Sequence, residues 1–98
     1  MTVAELDEVQ YDLEVDGVQV REQLRRRFWE ARGWATVAVL FRERDKDGAW
    51  KVPKVALLRF RRMNEAWQKQ AVVTLDAGDA FELAETLTAW RGDVSACS

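Results

Sequence analysis

Trp34, Trp50 and Trp67 each stand within a few residues of cationic side chains, in the stretches GWATVAVLFRER (33–44), GAWKVPK (48–54) and RFRRMNEAWQK (59–69). A guanidinium offers a planar fork of donors that matches phosphate or carboxylate, and it stacks on flat rings. An indole offers a face on which a planar ligand can stack whatever its edge chemistry. Trp34, Arg42, Arg44, Trp50, Lys54, Arg59, Arg61, Trp67 and Lys69 are therefore the candidate positions for holding something anionic and flat. Each has a plainer reading. The tryptophans can be core or dimer packing, and Arg59, Arg61 and Arg62 can be charges that guard an edge strand against aggregation. Arg25-Arg26-Arg27 divides in the same way between contact surface and solvated face. Trp29 is assigned no role.

Other chemistries are poorly served. There is no histidine and one cysteine, Cys97. Most metal sites, nucleophiles paired with histidine and histidine acid–base catalysis are therefore excluded, as is an intrachain disulfide. Cys97 reads as an unreactive thiol in a tail. Asp45 and Asp47 sit in a turn, where such residues are ordinarily structural, with no phosphate-cradling glycine loop beside them. No enzyme activity and no cofactor are expected. The opening residues are acidic and lack the features of a signal peptide, so a cytoplasmic location is expected, with no membrane association.

The net charge of −2 conceals a segregation. Glu5, Asp7, Glu8, Asp12, Glu14 and Asp16 share residues 1–16 with no base, and 76–98 is also acidic apart from Arg91. Fourteen of the fifteen basic residues fall between them. A basic middle between acidic ends suits an anion-binding sheet with separate acidic elements.

The elements that must carry these residues follow from periodicity. One domain is expected over 1–98, with short tails at 1–7 and 93–98. A chain this short is marginal as a monomer, and a homodimer is the ordinary remedy. Val9 to Val15 alternates as a half-buried strand, and Asp16-Gly17 supplies a hairpin turn. Segment 20–31 fits either a strand or a helix ending at Gly33, with extended structure slightly preferred. Trp34 to Arg44 is a strand whose Ala35, Val37, Val39 and Phe41 face the core, and Asp47-Gly48 marks the next turn. Trp50 to Arg62 returns, starting at an edge or bulge because Pro53 cannot donate to a ladder. On it, Arg59 and Arg61 share a face with Val55 and Leu57, while Phe60 and Arg62 share the other. A loop over Asn64 to Gln68 leads to a short buried strand, Ala71 to Leu75. Asp76 then caps a helix whose Phe81, Ala84, Leu87 and Trp90 face the core and whose run ends at Gly92. The fold class is α+β: an antiparallel sheet of about four strands followed by one amphipathic helix.

The stretch LLRFRRMNEAWQKQAVVTLDAGDAFELAETL (57–87) resembles the C-terminal half of the positive-cofactor-four family of single-stranded DNA-binding transcription proteins, the small bacterial members above all. Val73-Thr74-Leu75 matches that family's short strand, Phe81 the first aromatic of its helix and Leu87 a later core position. Gly33-Trp34 is similar to the start of an earlier strand. The chain departs from the pattern in two places: Leu75 to Phe81 is one residue longer, and Ala71-Val72 stands where the family has a basic-glycine pair, leaving Lys69 as the nearest base. Whirly-like and Pur-like single-strand binders also run a sheet into a helix. The resemblance implies a homodimer that presents a basic, aromatic sheet surface to single-stranded nucleic acid, DNA in preference, with a role in transcription regulation. The rival is a protein-interaction or small assembly subunit, because arginine and tryptophan dominate protein interfaces as readily.

Overall fold

The structure, a computed structural model, describes residues 1–97 and, of Cys97, the backbone alone. The expectation for the Cys97 thiol therefore lies outside the described residues. Six strands form one antiparallel sheet: β1 (Thr2–Val3), β2 (Leu13–Val15), β3 (Val18–Ala31), β4 (Trp34–Glu43), β5 (Lys54–Met63) and β6 (Ala66–Asp76). A helix, α1 (Ala77–Cys97), follows. The class is α+β as expected, with six strands rather than about four. Strands β2 to β6 run as a meander, and β1 returns to pair beside β6, giving the spatial order β1-β6-β5-β4-β3-β2. No helix among the described residues is long and apolar enough to cross a membrane.

Local chemistry explains the meander. Asp16-Gly17, Arg32-Gly33 and Asn64-Glu65 each put two consecutive residues in the left-handed region, with φ between 51° and 81°. Such two-residue turns match the twist of the strands they join. The fourth connection is longer. Asp45 anchors it, its Oδ1 accepting from the N–H groups of Asp47 and Ala49 at 2.8 and 3.0 Å.

One face of the sheet carries the core. Ala35, Val37, Val39 and Phe41 of β4 alternate with Ala56, Leu58 and Phe60 of β5, and Trp67 of β6 completes the layer. The lid on this face is the N-terminal segment. Leu6, in a single 3-10 turn (Leu6–Glu8), and Val9 are buried against the sheet, with Val3 and Tyr11 packed beside them. Arg26 fastens this strap: its Nη1 donates to the carbonyls of Asp7 and Val9, both at 2.7 Å.

Several expectations are corrected. Residues 1–7 form β1 and part of the lid rather than a tail, because Leu6 has an apolar layer to cover. The first strand is shorter than Val9–Val15, since Val9 turns into the core before β2 begins, and Leu13 and Val15 stay exposed. Segment 20–31 is strand, the preferred alternative, with its register shifted between Gln23 and Arg25. The Asn64–Gln68 loop shrinks to the Asn64-Glu65 turn, and β6 runs unbroken from Ala66. Its Ala71 to Thr74 are exposed rather than buried. Helix α1 passes Gly92, which costs about 1 kcal/mol relative to alanine but ends nothing by itself. Phe81 and Trp90, expected in the core, are 61% and 56% exposed, because α1 packs mainly on β5 and β6 and lies largely clear of the sheet.

Candidate functional site

The face opposite the strap is the one the basic middle of the chain builds. Pairing aligns Trp29 with Thr36 and Arg59 across β3, β4 and β5, and Ala31 with Trp34 and Arg61 in the next row. Arg27 aligns with Ala38 and Leu57. The Arg59 guanidinium lies 4.9 Å from the centre of the Trp34 ring and Arg61 lies 5.3 Å from it. Arg27 stands 5.0 Å from the Trp29 ring. These separations fall within cation–π range, each worth roughly 0.5–1 kcal/mol at an exposed position. Arg59 is steadied by donating from Nη1 to Thr36 Oγ1 at 2.8 Å. Trp29, Arg27, Arg59 and Arg61 are exposed and Trp34 is half-buried, so rings and guanidinium edges are open to solvent together.

A second aromatic–arginine cluster lies at the other end of β4. The Arg42 and Arg44 guanidinium groups sit 4.2 and 3.9 Å from the Trp50 ring centre. Their donors are more committed than those of the first cluster. Arg42 pairs with Glu22 at 3.1 Å, and Arg44 donates to the carbonyls of Gln19 and Gly48, both at 2.8 Å. Eight residues of β4 separate Trp34 from Arg42, about 26 Å at the rise of an extended strand. Between the clusters Ala38, Leu40 and Val55 line a shallow apolar cavity of about 300 Å³, rimmed by Arg25 and by Phe81 from the start of α1.

Of the nine positions read from the sequence, Trp34, Arg59 and Arg61 come together as one cluster, and Arg42, Arg44 and Trp50 as another. Lys54 pairs in register with Phe41, on the core side, and its Nζ lies 3.7 Å from Glu43. Lys69 is exposed but aligned with Phe60 on that same side, its N–H donating to the Met1 carbonyl at 3.0 Å. Trp67 is 1% exposed in the core, with the Arg62 guanidinium 5.6 Å from its ring centre, and offers no stacking face. Trp29 and Arg27 join the first cluster although neither was among those nine. Their signal was parity: if 25–31 is a strand, Arg25, Arg27 and Trp29 share one face.

The edge-guard reading of the β5 arginines loses its geometry. β5 is paired along its length by β4 on one side and β6 on the other. Its arginines guard no edge, and only their face of the sheet is open to them.

Glu5 and Asp7 of the strap lie with Glu30 around a cavity of about 430 Å³ on the core side, near Arg62 and Trp67. Among the described residues, no carboxylate forms an ion pair with Arg27, Arg59 or Arg61. No family model, no curated protein and no solved structure matches the chain.

Proposed function

We propose that the face bearing Trp29, Trp34, Arg27, Arg59 and Arg61 binds single-stranded nucleic acid without sequence preference, and that the protein does so without catalysis. The observation that carries this reading is the grouping of two solvent-accessible indoles with three arginines on one sheet face, the arginines engaged in no ion pair among the described residues. A single strand exposes base faces that duplex DNA hides, and stacking one base on an aromatic side chain is worth roughly 1–3 kcal/mol. The arginines neutralise phosphates and release counterions. An extended sheet face suits a strand that must be unstacked along its length better than it suits a compact small molecule. The transcriptional role that the resemblance implies would follow from this binding.

Titration of a labelled oligonucleotide by fluorescence polarisation tests the reading. Binding in the micromolar range or tighter is expected, weakening steeply between about 50 and 200 mM salt. Trp34→Ala should weaken it about 5- to 150-fold, the size of one lost stack. The double change Arg59→Ala, Arg61→Ala should flatten the salt slope by about 0.7 for each phosphate no longer neutralised. Absence of binding at micromolar protein, or binding indifferent to salt, would sink the proposal and favour a protein partner for this face.

A further inference from the structure

The sheet is closed at one edge only in part. β1 pairs with Trp67 and Gln68 of β6, and the Lys69 N–H meets the Met1 carbonyl. Beyond Lys69 no described strand lies beside the outer edge of β6. The segment Ala71-Val72-Val73-Thr74-Leu75 there has no charge and no proline, and Val72 and Val73 are 44% and 53% exposed. An edge of this kind normally carries a lysine, a proline or a bulge to deter pairing with another chain. The register shift in the β5–β6 pairing falls at Gln70, before the segment begins.

Directly after this edge comes a second uncovered surface. Leu83, Leu87, Trp90 and Val94 recur at the spacing of one helix stripe, and all four are exposed. The molecule as a whole carries more surface than its mass predicts. Its accessible area is 7140 Å², whereas a compact protein of this size has about 5,700 Å². The surplus, about 1,400 Å², exceeds the roughly 800 Å² that each partner contributes to a standard interface. The radius of gyration, 15.9 Å, likewise exceeds the value of about 12.6 Å for a compact domain of this length.

We infer that a second copy of this chain covers both surfaces, its β6 pairing antiparallel with this β6 and the α1 stripe buried in the same interface. A second copy is the fitting occupant because an antiparallel strand is complementary to itself about a two-fold axis normal to the sheet. The edge is uncharged, so like meets like without repulsion. The surplus area is also what a dimer of this size needs. That axis keeps both ligand faces on one side of a continuous sheet, with the two β4 strands five strand spacings apart, about 24 Å.

Sedimentation equilibrium of the full chain from low to high micromolar concentration tests this. A mass of twice 11.3 kDa is expected. Val73→Lys on the edge and Leu87→Asp on the stripe should each restore the single-chain mass while far-ultraviolet circular dichroism keeps its strand and helix content. If a variant fails to fold, the wild-type melting temperature decides, since it must rise with protein concentration for a dimer. A wild type that stays monomeric with a concentration-independent melt overturns the inference, as does a folded variant that remains dimeric. Val73 lies one register row from Arg59 on the ligand face, so a lysine there also adds a cation to that face; Leu87→Asp, on the helix, is the variant that keeps failure of the oligonucleotide experiment separable from failure of this one.

Discussion

Arg26 and Arg27 are neighbours in sequence with opposite work. Arg26 points to the core side and fastens the strap through two carbonyl oxygens, whereas Arg27 lies near the Trp29 ring on the other face. Arg26→Ala should lower unfolding free energy by about 1–3 kcal/mol in a urea melt, the size of hydrogen bonds to a charged group. It should leave the salt slope of oligonucleotide binding unchanged. Arg27→Ala should do the reverse, moving stability by about 0.5 kcal/mol or less. A triple-arginine run could be read only as a cluster; alternation on a strand is what divides it. Trp67 shows the same dependence from the other side. A loop through Gln68 would leave it in solvent beside basic residues, like Trp34. The two-residue turn instead pairs it with Arg62, and that parity points it into the core.

Among the three tight turns, Asn64-Glu65 is the weakest chemically. Glu65 holds φ at 66°, where a side chain costs roughly 1 kcal/mol and glycine costs almost nothing. Glu65→Gly should therefore raise stability by about 0.5–1 kcal/mol, read as a higher urea midpoint with unchanged slope. The Asp16-Gly17 turn, the 34–44 strand and the helix after Asp76 were legible because each carries one unambiguous signal: a dipeptide, a strict alternation, or a cap before helical spacing. β3 was not, since Val20, Leu24, Phe28 and Ala31 satisfy a helix while the chain around them satisfies a strand. The strand continues through a register shift after Gln23. The apolar spacing of α1 was legible too, but spacing says only that a stripe seeks cover. It does not say whether the cover belongs to the same molecule, and Phe81, Leu87 and Trp90 are exposed.

At the scale of the whole molecule the sheet separates two tasks: an acidic strap over apolar side chains on one side, arginines and indoles on the other. Removing residues 1–9 should cost several kcal/mol, because fully burying Leu6 or Val9 is worth about 1.5–3 kcal/mol each. A sharply lower urea midpoint and increased binding of a hydrophobic dye would register it; an unchanged midpoint would show the strap to be dispensable. The candidate face was legible in outline from the charge segregation and the tryptophan neighbourhoods, since β4 and β5 alternate cleanly. Its membership was not, because it depends on how three strands are aligned. The strap also has a consequence for how the chain is made. Every hairpin from β2 to β6 joins neighbours in sequence, whereas β1 waits for Trp67 and Gln68, some 65 positions downstream. On the ribosome β1 and the strap emerge before their partners and are therefore among the last parts of the sheet to find their place. Phe41 and Phe60 can be paired in a sheet and still lack their cover, an interval in which a chaperone or a neighbouring nascent chain competes with the protein's own strap.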